Sequence, residues 1–230
     1  MNPRLIPPDP IKWLKNRTLP LLVALVGLIA LHPLFVQSSR VSDELFPLLA
    51  VLIPMLAVAA VGSWKRALPL VAIFLFMVTW NVMVHHLDQV EIAKGPTAYF
   101  ALAYYGYAIW ALAHRLFRST SLIDDRVYGG LVIYLLTAMM FASLFRHISA
   151  VNPDAFTHLV SGEPRVLLWN DALYYSIITI STLGYGDIVP TSNWARSAAM
   201  IEVLSGVFIT VAFIAQLITA GAPQQKFPPR

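Results

Sequence analysis

Six stretches of this chain, about residues 19–36, 45–62, 67–84, 98–114, 127–145 and 194–219, are apolar enough, and long enough or nearly so, to leave water altogether. A helix rises about 1.5 Å per residue, so eighteen residues reach about 27 Å, close to the thickness of a bilayer's hydrocarbon core. The chain is 58% hydrophobic and only 12% charged, with a mean hydropathy of +0.68. Those values belong to integral membrane proteins and not to soluble domains. The first apolar stretch follows a basic tail like that of a signal peptide, but its length and the spans after it read as a retained helix.

The cations orient the chain. With the N-terminus inside, the inner segments hold eleven Lys and Arg: Arg4, Lys12, Lys15, Arg17, Lys65, Arg66, Arg115, Arg118, Arg126, Lys226 and Arg230. The outer segments hold five: Arg40, Lys94, Arg146, Arg165 and Arg196. This asymmetry follows the positive-inside rule and predicts a multi-pass protein of the cell membrane with both termini cytoplasmic. The net charge of +4 then reflects topology and contacts with anionic membrane lipids, and no nucleic-acid partner is expected. Cysteine is absent, which excludes disulfides and thiolate metal sites.

Between the fifth and sixth spans, residues 182–187 read Thr-Leu-Gly-Tyr-Gly-Asp. Gly184 and Gly186 alternate with other residues, and glycine tolerates the positive φ that lets successive carbonyls point toward one axis. Gly and Asp are also ordinary turn formers, so a tight turn between two helices is the plain alternative. The context decides. A short amphipathic stretch precedes the motif and a long apolar one follows it, on the side that the charge count places outside.

Residues 127–219 therefore resemble the pore of the tetrameric pore-loop potassium channel superfamily. The resemblance implies an all-α integral membrane fold with six transmembrane helices, a re-entrant pore helix and a selectivity filter. Carbonyls of Thr182, Leu183, Gly184 and Tyr185 would then bind K+, with Gly186 closing the filter and the Thr182 hydroxyl completing the innermost site. Leu183 stands where Val is commonest. Potassium is the permeant ion, and no cofactor is expected. One chain carries one filter strand and shows no second Gly-Tyr-Gly loop, so four identical chains are expected around one pore.

The same resemblance assigns supporting roles. In such channels an Asp after the last filter glycine bonds an aromatic residue of the pore helix; here the matching residues are Asp187, Tyr174 and Tyr175, with Tyr in place of the more usual Trp. Some relatives carry a carboxylate four residues before the filter Thr, where this chain has Ile178. The pore helix is expected from Asp171 to about Ser181, with Asn170 as its N-cap and Asp171 in the first turn. Residues 146–169, with Pro153, Gly162 and Pro164, read as an irregular outer loop. Gly206, twenty residues beyond Gly186, matches a hinge position of the family, although glycine also permits close helix packing. Val207, Thr210, Ile214 and Ile218 share a helical face with it and are candidates for cavity and gate. Glu202, an ionisable residue inside a span, is a functional candidate by default. Thr179 or a Tyr hydroxyl would satisfy it; a structural hydrogen bond with no gating role is the plain reading, and a tie of the inner helix to the back of the filter, by charge or by hydrogen bonding, the functional one.

Residues 19–126 are expected to form a four-helix bundle laid out like a voltage sensor. Sensing needs a ladder of cations within the field, and residues 98–113 contain none. Arg115 and Arg118 lie at the expected cytoplasmic edge. Phe100, Tyr104, Tyr107 and Ala111 share one face of the fourth span, with Thr79, Trp80 and Asn81 near the outer end of the third; helix packing is the expected use, a lipid or ligand pocket the alternative. His85, His86, Asp88 and Glu91 read as a solvated loop, with an external proton or metal site as the alternative. The Pro-rich segments 1–18 and 220–230 are too short to fold alone, so regulation is expected through the bundle, lipids or a partner chain. A non-conducting regulatory subunit is the competing reading. A potassium transporter would carry several pore loops, and no hydrolase, metal or phosphate-loop constellation suggests an enzyme.

Overall fold

The computed structural model describes residues 18–36, 51, 52, 55, 64–86, 90–118, 123–159 and 166–221. Six helices carry most of them: α1 Leu19–Val36, α2 Trp64–His86, α3 Val90–Arg118, α4 Ile123–Val151, α5 Trp169–Ile180 and α6 Asn193–Gly221. The second expected span falls almost wholly outside the described residues. Two of the helices contain stretches long and apolar enough to cross a bilayer, Asp125–Val151 in α4 and Asn193–Ala215 in α6; Leu19–Leu31 and Leu68–Trp80 are shorter apolar stretches of α1 and α2. Helix α3 is long enough to span, at 29 residues, but Tyr104, Tyr105, Tyr107 and His114 lower its hydropathy.

Helix α4 is the hub, touching α1, α3, α5 and α6. Val132, Leu136, Met139, Ala142 and Phe145 recur every three or four residues along it and are all buried, which is the stripe a 3.6-residue repeat produces. At its start, two adjacent glycines admit two neighbours. A Cβ on Gly129 would lie 2.5 Å from the Leu116 side chain of α3, and one on Gly130 would lie 2.3 Å from the Phe213 ring of α6. Consecutive helical residues point about 100° apart, so the pair opens two sides of α4 at one level.

Two further joints hold α3 and α1 to this hub. The Thr18 backbone N–H donates to Asp125 Oδ1 at 3.1 Å, and the Thr18 hydroxyl lies 2.6 Å from the same oxygen. Arg115 Nη2 stands 3.9 Å from Asp125 Oδ2. At the other end, the rings of Tyr99 and His147 meet edge-on at 5.5 Å. Between these ends Tyr104 is fully buried and donates its hydroxyl to the Val51 carbonyl. On the aromatic face of the fourth expected span, Tyr104 and Ala111 are thus buried, while Phe100 and Tyr107 are half-buried.

Of the expected irregular loop at 146–169, the described residues 146–159 are more ordered than a loop. Helix α4 runs on to Val151, a 3-10 turn follows at Pro153–Ala155, and β1 (Phe156–His158) pairs antiparallel with β2 (Ile188–Pro190). The pairing explains the order, because it supplies backbone partners to a segment whose composition carries no helical signal. The ladder continues one step further, with Leu159 N–H donating to the Asp187 carbonyl at 2.9 Å. Residues 156–159 and the chain leaving residue 187 are therefore fixed to one another.

Candidate functional site

Helix α5 begins two residues earlier than its sequence suggests. Leu168 is the N-cap and makes no side-chain cap bond, while Asn170 sits inside the first turn. Tertiary anchoring replaces the cap: the Leu167 N–H donates to Ser149 Oγ at 2.8 Å, and the Leu167 side chain is buried beside α4. Asp171 lies in the first turn as expected, where negative charge complements the helix dipole.

Past Ile180 the backbone turns back on the helix. Thr182 N–H donates to the Thr179 carbonyl at 2.9 Å, and the N–H groups of Leu183 and Gly184 both donate to the Ile178 carbonyl, at 2.9 and 3.1 Å. Ile178, where some relatives place a carboxylate, is buried and contributes its backbone oxygen instead. The following residues alternate in hand. Thr182, Gly184 and Gly186 have φ of 61°, 51° and 78°. The two glycines stand as the motif requires; the threonine is the one non-glycine residue at positive φ among the described residues. Nothing in its side chain announces that conformation.

This strand is not covered by its own chain. Leu183 and Tyr185 are 58% and 68% exposed, and a Cβ added at Gly184 or Gly186 would meet no atom within 4 Å. Its C-terminal end is held by Asp187, which accepts from the Tyr174 hydroxyl at 2.7 Å through Oδ2 and from Ile188 N–H at 3.0 Å through Oδ1. Tyr175 does a different job. Its ring is buried edge-on between Phe145, at 4.9 Å, and Phe156, at 5.4 Å, anchoring α5 in the core.

Two contacts join α6 to the back of α5. Glu202 is fully buried and meets Ser176, not Thr179; the Ser176 hydroxyl also lies 2.6 Å from the Ala138 carbonyl of α4. One turn later, a Cβ on Gly206 would stand 2.5 Å from the Ile180 carbonyl oxygen. Gly206 is therefore required for close packing of α6 on the end of α5. Val207 and Ile214 are exposed on α6, with Thr210 bonded back to the Gly206 carbonyl at 2.9 Å; Ile218 lies on the same helix, its side chain outside the described set. Ser176 and the positive φ of Thr182 escaped the sequence reading. Ser176 is one turn of α5 before Thr179, so its place facing α6 follows from the helix rotation that packing sets.

Among the described residues no group of three or more His, Cys, Asp or Glu could hold a metal ion. The side chains of His85, His86, Asp88 and Glu91 lie outside the described set.

Residues 130–222 match the family model described as "Ion channel". The chain is 46% identical over 47 residues, 20% of its length, to the voltage-gated potassium channel Kch of Escherichia coli, and 36% identical over 89 residues, 38% of its length, to two-pore potassium channel 5 of Arabidopsis thaliana. These matches span 11% and 18% of those relatives' own lengths, and the chain spans no more than 25% of the other bacterial and plant relatives. A smaller viral relative, the potassium channel protein kcv of Paramecium bursaria Chlorella virus 1, is 25% identical over 80 residues, which are 35% of this chain and 83% of that protein. No solved structure matches.

Proposed function

From the premise that residues 130–222 belong to the pore-loop potassium channel family, we propose that four copies of this chain enclose one pore and pass K+ passively and selectively across the cell membrane. The observation that carries this reading is the alternation of positive φ at Thr182, Gly184 and Gly186. Alternating hand turns successive carbonyls toward one side of the strand. A dehydrated cation needs such oxygens stacked along its path. One strand supplies only a quarter of each ring, and the exposure of Leu183 and Tyr185 leaves room for neighbouring copies to complete the site.

In this assignment Thr182, Leu183, Gly184 and Tyr185 coordinate K+ through their carbonyls, the Thr182 hydroxyl adds an inner ligand, and Gly186 ends the filter. Helix α5 is the re-entrant pore helix, non-helical backbone being tolerable at membrane depth where it is enclosed by protein. Tyr174 and Asp187 brace the filter from behind. Helix α6 is the inner helix: its apolar residues Leu204, Val207, Phe208, Val211 and Ile214 are about half exposed or more, as a helix facing other copies and lipid would be. Ile214 and Ile218 are the gate candidates. Six crossings with cytoplasmic termini place the filter outside, and the residues before α4 form a bundle that is not a voltage sensor. Voltage gating in the name of Kch describes that protein, of which the match covers 11%.

The test is flux. Purified protein in liposomes should pass K+ and exclude Na+, and Gly184→Ala should abolish selective flux, because a Cβ at φ 51° strains the backbone by about 1 kcal/mol or more. Unaltered K+ over Na+ selectivity in a well-inserted Gly184→Ala protein would remove the filter assignment. Absence of flux in the wild type, with the protein assembling only alongside other channel chains, would favour a regulatory subunit.

A further inference from the structure

Counting hydrogens at the junction of α4, α5 and α6 gives a result that the filter assignment does not. Ser176, Ala138 and Glu202 are 0%, 1% and 0% exposed. The Ser176 hydroxyl stands at short hydrogen-bonding distance from two oxygens, the Ala138 carbonyl at 2.6 Å and Glu202 Oε1. A carbonyl oxygen and an ionised carboxylate are both acceptors only, and a serine hydroxyl has one proton. If Glu202 were ionised, one of the two short contacts would set lone pair against lone pair. Both close together only if the second proton comes from Glu202. The order of donation is then Glu202 to Ser176 and Ser176 to the Ala138 carbonyl.

The other carboxyl oxygen points the same way. Glu202 Oε2 is buried with no hydrogen-bond partner. In an ionised carboxylate that oxygen would carry half of a buried negative charge with nothing to compensate it; in the neutral acid it is an ordinary carbonyl-type oxygen, far less costly to bury. The titratable groups that face it are phenols, Tyr134 from α4 and Tyr175 from α5, and neither brings positive charge.

We infer that Glu202 acts as an uncharged hydrogen-bond donor, a positioning residue that fixes the rotation of α6 against α5 through Ser176. Gly206 lies four residues on and therefore on the same face, where it sets the approach of the two helices through its contact with the Ile180 carbonyl. Ile180 is two residues from Thr182, so the pair holds the innermost end of the alternating strand. Hydrogen bonding, not charge, does this. The inference rests on the channel reading only for its consequence; the proton on Glu202 is a property of the folded chain.

The experiment therefore has two readouts. Infrared difference spectra of wild-type protein and Glu202→Gln, both in lipid, should show a protonated carboxylic acid C=O band in the wild type at neutral pH that the variant lacks. A carboxylate signature in its place would overturn the inference whatever the flux data say. In liposomes Glu202→Gln, whose amide N–H still donates, should keep K+ flux within about twofold of wild type, whereas Glu202→Ala and Ser176→Ala should each lose roughly tenfold, on the order of one buried hydrogen bond. Loss in Glu202→Gln equal to that in Glu202→Ala would also overturn it. Wild-type protein that shows the acid band yet passes no K+ would count against the channel reading and leave the donor assignment standing.

Discussion

Thr182 adopts φ 61° although its β-branched side chain disfavours that region. A conformation of this kind costs about 1–3 kcal/mol and persists only where surrounding contacts impose it. Here they are identifiable: its own N–H is held by the Thr179 carbonyl and those of the next two residues by the Ile178 carbonyl. In the proposed filter the reward is a carbonyl and a hydroxyl aimed at the same ion. At the outer end of the strand the constraint is a side chain. Tyr174→Phe removes one bond to Asp187 and leaves the ring, so the conducting state should lose about 1 kcal/mol, a roughly fivefold faster decay of current under sustained flux. Tyr175→Phe keeps the packing on Phe145 and Phe156 and should leave that decay near wild type. Equal decay in the two variants would place the brace elsewhere.

At the scale of elements, α6 gives Gly206 two competing roles, hinge and close contact. The contact is explicit, since any Cβ there would meet a backbone oxygen at 2.5 Å, and backbone cannot swing aside as a side chain can. Gly206→Ala should therefore lower the stability of the assembled protein by about 1–3 kcal/mol, the usual cost of overpacking. Thermal melting of the detergent-solubilised oligomer measures it. An unchanged melting temperature with altered gating would restore the hinge. Helix α4 repeats the device at Gly129 and Gly130, where the clashing atoms are side chains of Leu116 and Phe213, so alanine there should be milder.

For the whole molecule the question is how the first helices reach the pore. Asp125, at the start of α4, is one place where they do: it receives Thr18 and lies within an ion pair's reach of Arg115. On the proposed reading, an arginine so engaged acts as a strut and not as a mobile gating charge. Recording across a wide voltage range should show open probability changing far less steeply than with about three to four gating charges per subunit, and Arg115→Gln with Arg118→Gln should not flatten it further. A steep sigmoidal activation removed by those two substitutions would reverse this view. Asp125→Asn, by loosening the joint, is expected to alter the level of current and leave its voltage dependence alone.

Glycine spacing, apolar length and cation asymmetry are local properties of the chain, and they were enough to mark the membrane class and the positive φ of Gly184 and Gly186; the pairing of Asp187 with a tyrosine came from the resemblance to pore-loop channels. Helix rotation, end-to-end contact and strand pairing are not local. Whether Glu202 meets Ser176 or Thr179 depends on how α6 is turned against α5, and a single helix carries no record of its neighbour's rotation. The early start of α5 depends on Ser149 and Leu167, and the positive φ of Thr182 on carbonyls of the preceding turn. The ordered stretch after α4 exists because residues 156–158 find residues 188–190. Those contacts join residues distant in sequence or fix angles that composition leaves open, and only packing could decide them.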